Sequence, residues 1–169
     1  EVQKAGAVFD SAKLDWINNH HLAALSFDAF NERLAPFLES VGIDCTQKVN
    51  SKEIVAAMRS SKPTLLGVAR DLIPYFSDVE SYDEKAANKF LIGSEPVLEF
   101  VQRKLNGLEI WNEESIDHAL KEAQTSLSLP TPKLNQPIRI AMTGSTQSPS
   151  LGLTLSLFDS VEVNKRIDA

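Results

Sequence analysis

Apolar residues in this chain recur three and four positions apart over most of its length, which commits the polypeptide to α-helix before any other property is weighed. The clearest case is Phe27, Phe30, Leu34, Phe37 and Leu38. They form one apolar face entered at Ser26, carrying Pro36 as a kink or an end, with Gly42 placed to close the segment. The same logic marks a helix over Ser11–Asn19, with Leu14, Trp16 and Ile17 and a cap from Asp10 or Ser11. Asn50-Ser51-Lys52-Glu53 opens another ahead of Ile54, Val55, Ala57 and Met58. Further starts fall at Pro63-Thr64-Leu65, running to Pro74, at Tyr82-Asp83-Glu84, at Ser94-Glu95-Pro96, ending at Gly107, and at Asn112-Glu113.

Beyond Ala123 the pattern changes. Residues 126–132 hold Pro130 and Pro132 and read as a connector. The segment Gln136–Met142 fits two descriptions, a strand by its alternation or a helix begun by Pro137 and ended by Gly144, and so short a run does not decide between them. Ser148-Pro149-Ser150-Leu151 leads into a helix to Phe158, and Ser160–Ile167 forms the last one. The expected fold is all-α, a compact bundle or cage of about nine or ten short helices in two subdomains. A chain of 169 residues can bury one core of that kind.

Charge is distributed unevenly. The net value of −6 argues against a nucleic-acid partner taken in bulk, yet location matters more than the sum. Residues 1–122 carry 13 Lys+Arg against 20 Asp+Glu. Residues 123–158 carry Lys133 and Arg139 and no carboxylate at all. A polar surface segment explains that stretch as well as a phosphate-tolerant one does, but absence of repulsion is a prerequisite for RNA.

Enzyme signatures are missing. The seven glycines make no phosphate loop. His20 and His21 point about 100° apart on a helix and cannot share a metal, and His118 stands alone. The single cysteine, Cys45, forms no internal disulfide, fits a reducing cytoplasm, and reads as a packing residue. No apolar run approaches the roughly 20 residues that span a bilayer. The opening Glu1-Val2-Gln3-Lys4 lacks a signal-peptide layout.

Two segments resemble a known family. Gly6-Ala7-Val8-Phe9-Asp10, Lys13-Leu14, Trp16-Ile17-Asn18 is similar to the stretch that follows the catalytic domain in bacterial glutamyl-tRNA synthetases. Gln136-Pro137-Ile138-Arg139-Ile140-Ala141-Met142-Thr143-Gly144, then Ser148-Pro149-x-Leu151, then Lys165-Arg166-Ile167 resembles that family's C-terminal signature. Tyr82-Asp83-x-Lys85-Ala86 and Trp111 sit between them at familiar intervals. The resemblance implies residues 1–60 as junction helices after an absent catalytic domain and 61–169 as an anticodon-binding domain. It implies tRNA for glutamate as partner, with tRNA for glutamine as an open second, and neither DNA nor a membrane. It further implies a cytoplasmic, monomeric class I ligase whose ATP and magnesium serve the catalytic part, with no catalytic residue, cofactor or metal in this stretch.

Carried over residue by residue, the resemblance places Gln136 and Arg139 on anticodon bases, where an amide and a planar guanidinium suit base edges. Ser148, Pro149 and Leu151 match the turn and helix start that pack on a base. Lys121 falls where some members carry arginine. The arginine that rejects the glutamine tRNA aligns at Ser61, leaving Arg59 and Lys62 as candidate substitutes, or as a solvated helix end. Two rival readings stand beside these: an all-α protein-interaction scaffold without RNA binding, and Arg139 as one half of an ion pair in the core.

Overall fold

A computed structural model describes residues 10–48 and 50–169, so the Gly6–Phe9 part of the first resembling segment lies outside it. Ten α-helices follow one another, with no strand among the described residues: α1 Ser11–Ala24, α2 Phe27–Ser40, α3 Ser51–Met58, α4 Leu65–Phe76, α5 Glu84–Phe90, α6 Glu95–Asn106, α7 Glu113–Leu127, α8 Thr131–Thr143, α9 Leu151–Ser156 and α10 Ser160–Ile167. A 3-10 turn, Cys45–Gln47, lies between α2 and α3. The all-α expectation holds.

The starts are set by side-chain caps. Asp10, Ser26, Thr64, Asp83, Asn112, Ser150 and Asp159 each accept a backbone N–H three residues on, satisfying donors a helix cannot satisfy itself. Asn50 departs from expectation: its amide donates to the Leu157 carbonyl (2.8 Å) and ties α3 to the end of α9. Pro36 lies inside α2, so of the kink and the end expected for it the end is excluded. Other prolines depart: Pro74 lies inside α4 without ending it. Pro137 is an interior residue of α8, which starts at Thr131 within the expected connector. Pro132 sits in the first turn, where a missing N–H costs nothing.

One apolar core runs from Leu22 to Val163, with Phe30, Leu34, Ile54, Leu72, Ile116, Ile138 and Leu155 fully buried. Around it α2 and α3 pack on α4, α7 packs on α6 and α9, and α8 touches α4, α5, α6, α9 and α10. The central position of α8 explains its sequence: Leu134, Pro137, Ile138, Ile140, Ala141 and Met142 are all buried, so the helix is apolar over most of its girth.

Arg166 joins these elements. It is buried at 7% exposure, and its guanidinium donates to the carbonyls of Pro74 (2.7 Å), Ser77 (2.9 Å) and Met142 (2.5 Å) and to Glu162 Oε1 (2.6 Å). It also lies 4.5 Å from the centre of the Phe158 ring, which stacks on Tyr75 at 5.2 Å. One cation thus closes the C-terminal ends of α4 and α8, where carbonyls point outward unpaired and the dipole favours positive charge. Arg166→Ala leaves those carbonyls unmatched and Glu162 with Lys165 alone (3.6 Å), and should cost about 3–5 kcal/mol, read as a lowered denaturant midpoint.

Tyr75 is buried at 1% exposure, and its hydroxyl makes no hydrogen bond among the described residues. Burial pushes the phenol up to about 12. The native state therefore holds its proton more tightly than the unfolded chain, whose tyrosines titrate near about 10. That contribution is complete below about pH 10 and is lost as pH rises through about 12. Alkaline urea titrations should show this loss in the wild type and its absence in Tyr75→Phe, which should be no less stable than wild type at neutral pH.

Candidate nucleic-acid interface

The C-terminal half of α8 and the loop that returns to α9 are tied together by a set of side-chain hydrogen bonds. Gly144 ends α8 in the left-handed region (φ +71) and donates to Ile140 O (2.7 Å). A Cβ there would meet the Ser81 carbonyl oxygen at 2.6 Å, and the Gly144 carbonyl accepts from Asp83 N (2.9 Å). The Thr143-Gly144 pair therefore docks the 79–83 segment on α8, with the Thr143 hydroxyl donating to Arg139 O (2.9 Å). Gly144→Ala combines an unfavourable φ with a backbone clash, and should lower stability by about 1–3 kcal/mol in thermal unfolding.

Arg139 reaches across the loop. Its Nε donates to Ser148 Oγ (2.7 Å) and its Nη2 to Pro149 O (3.1 Å). Ser148 Oγ also receives the Thr154 hydroxyl (3.0 Å), so both its acceptor sites are used. No carboxylate pairs with Arg139 among the described residues, and burial pulls its guanidinium pKa down. It remains charged all the same. The core ion pair entertained for Arg139 is thus absent; neutral oxygens hold it at the edge of the protein.

Gln136 and Thr143 flank Arg139 on the same side of α8, at the three- and four-residue spacing that places side chains on one face. Gln136 is partly buried, and its Oε1 is shielded from solvent without a hydrogen-bond partner. Lys62 meets the loop from the other side. Its ammonium donates to Gln147 Oε1 (3.1 Å) and lies 3.7 Å from Asp71.

Two clefts open beside this loop. One, of about 350 Å³, is lined by Met58, Ser61, Asp71, Gln147, Ser148 and Pro149, and the Ser61 hydroxyl on its wall is buried and unpartnered. The other, of about 370 Å³, is lined by Arg70, Asp71, Tyr82, Thr143, Ser145 and Gln147 among others. Asp71 and Gln147 border both, so the clefts meet at the Lys62 contact. Arg70, the acids Asp71 and Asp83, the exposed Tyr82 ring and several hydroxyls and amides thus line the joined clefts, with Arg139 and Lys62 behind the wall through Ser148 and Gln147.

Of the residues singled out in the sequence, Arg139, Ser148, Pro149 and Lys62 converge here, with Gln136 next to them. The other three lie elsewhere. Leu151 is buried in the core at 4% exposure. Lys121 stands on α7 in a separate cleft with Lys104 and His118. Arg59 turns away: its Nη2 donates to the carbonyls of Leu22 (2.8 Å), Ala23 (3.1 Å) and Leu25, and its guanidinium lies over Phe30. It caps the end of α1. Asp71, Arg70, Tyr82 and Gln147 are the groove residues that the sequence did not offer as ligands. Tyr82 alone carried a signal, through its place in the Tyr82-Asp83-x-Lys85-Ala86 segment.

The family described as "Anticodon binding domain" matches residues 29–169. The chain belongs to this family. The anticodon-binding domain is also similar to curated relatives named glutamate–tRNA ligase, 34% identical over 169 residues in Coxiella burnetii and 36% over 171 residues in Myxococcus xanthus. It spans about a third of their length, 36% in both, and corresponds to their C-terminal part. The fold recurs in a crystal structure of a glutamate tRNA ligase from Elizabethkingia meningosepticum in complex with its amino acid. There the TM-score is 0.79 at 21% identity, over 99% of this chain and 33% of that one.

Proposed function

We propose that this domain reads the anticodon of the glutamate tRNA as the C-terminal part of a monomeric, cytoplasmic glutamate–tRNA ligase. The observation that carries the reading is Arg139, a cation of the acid-free stretch 123–158 held by neutral oxygens of Ser148 and Pro149, which wall a polar groove. RNA outside helices is recognised by splaying unstacked bases into such grooves and bonding their edges. Arg139 supplies a fork for a base edge, Asp71 and, once binding uncovers its shielded Oε1, Gln136 supply acceptors for base amino groups, and Tyr82 supplies a stacking face. Because the loop is braced by Arg139, Thr154 and Lys62, little ordering is left for the moment of binding.

Glutamate activation, with ATP and magnesium, belongs to the part of the ligase outside this chain. No group of His, Cys, Asp or Glu among the described residues can hold a metal ion, and no chemical step is assigned to them. No helix here is long and apolar enough to cross a membrane.

Gln136→Ala is the sharper of two tests, because the Gln136 carbonyl makes no bond among the described residues that the variant would break. It and Arg139→Ala should each weaken binding of the glutamate tRNA by about 1–3 kcal/mol in filter assays. Equal binding of a non-cognate RNA, or variants as tight as wild type, points instead to a protein-interaction scaffold. With Arg59 capping α1 and Lys62 bound to Gln147, no guanidinium stands at the Ser61 position. The full-length ligase should accordingly charge the glutamine tRNA as well, measured by aminoacylation of both species.

A further inference from the structure

Helices α5 and α8 lie side by side in opposite directions, and the groove occupies only one end of the pair. At that end the Asp83 N–H, just ahead of α5, donates to the Gly144 carbonyl, just behind α8 (2.9 Å). At the other end the last turn of α5 and the first turns of α8 border a separate cleft of about 350 Å³, with Lys89, Phe90, Lys133 and Pro137 on its walls. Two exposed lysines from different helices thus face one hollow. Neither pairs with a carboxylate among the described residues, and no Asp or Glu lines the cleft. The Lys89 ammonium lies 4.9 Å from the centre of the Phe90 ring. The helix dipole accounts for Lys89 in the last turn of α5. It opposes Lys133, which stands in the first turn of α8, where an anion is favoured and no acid is present.

Position relative to the groove decides what anion fits. The seven residues of α5 span about 10 Å, which sets the distance between the two ends of the pair. Lys133, Gln136 and Arg139 follow one another along α8 at three-residue steps, so each side chain neighbours the next on the way from cleft to groove. An RNA strand carries one phosphate per nucleotide, so a strand whose bases enter the groove lays the adjoining phosphates within a few nucleotides of it. We infer that the Lys89–Lys133 cleft holds a backbone phosphate of the RNA strand whose bases enter the groove. This rests on the RNA reading above. Ammonium groups hold phosphate as point charges and carry no base information, so the cleft adds affinity and register, while identity stays with the groove. A free phosphate ion shares this chemistry and is the alternative source.

The test measures binding of the full-length ligase to the glutamate tRNA, and to a copy with a changed anticodon, across a series of salt concentrations. Lys89→Gln and Lys133→Gln should each flatten the slope of log affinity against log salt by about 0.7, the value for one phosphate of a single strand. Each should weaken both tRNAs several-fold at low salt and leave the ratio between them as in wild type. Lys52→Gln, at an exposed lysine on α3, is the control and should leave the slope unchanged. Wild-type slopes in both cleft variants overturn the inference. So does an equal flattening by Lys52→Gln, which assigns the effect to bulk charge, or a changed ratio, which makes the lysines base readers. Thermal unfolding with inorganic phosphate covers the other source. A rise in Tm that both cleft variants lose, with their tRNA slopes unaltered, makes this a free-anion site and also overturns the inference. A wild type that binds both tRNAs equally refutes the anticodon reading, and lysine-dependent slopes in that protein leave the phosphate site standing.

Discussion

A guanidinium among carbonyls organises this protein. Arg166 sits where α4, α8 and α10 converge and neutralises outward-facing oxygens from two helix ends that water no longer reaches freely. A short bundle built from helices of 6 to 15 residues has many such ends per unit of core, and each brings polar atoms that must be matched. Using one cation for several of them holds α10, an eight-residue helix, in place at the end of the fold. Phe158 below the guanidinium and Tyr75 stacked behind it extend the same contact into the apolar interior.

A similar device appears twice more on a smaller scale. Arg59 gathers the carbonyls at the end of α1, and Arg139 gathers Ser148 and Pro149 across the α8–α9 loop. The three differ in what is left over. Arg166 has Glu162 beside it, and Arg59 spends itself on backbone and on the Phe30 ring. Arg139 has no carboxylate partner among the described residues, and Ser148 and Pro149, which line the groove, hold its charge oriented and partly desolvated.

Much of this was legible in the sequence because its causes are local. A cap and the N–H it accepts are three residues apart, so Ser26, Thr64, Asp83 and Asn112 announced their helices correctly. The acid-free stretch and the Gln136–Leu151 segment likewise pointed to one surface, and four of the eight residues named from the sequence meet there. What escaped was non-local. Asn50 looked like a cap, but its amide serves a carbonyl 107 positions later. Arg59 looked like an RNA ligand because nothing in its neighbourhood reveals carbonyls 34 to 37 residues earlier. Pro137 was a helix start in one of two readings, but the burial of Leu134, Pro137, Ile138, Ala141 and Met142 against neighbouring helices outweighs the hydrogen bond a proline removes. Gln147 and Asp71 gave no local hint at all, since the groove exists only once α4 and the loop are side by side.

The chain that leaves α3 carries two attachments within four residues. Arg59 grips the last carbonyls of α1, Ser61 walls the groove, and Lys62 holds Gln147 across it. The first helix and the groove wall therefore share one short turn of chain, and a change made in that turn is felt at both.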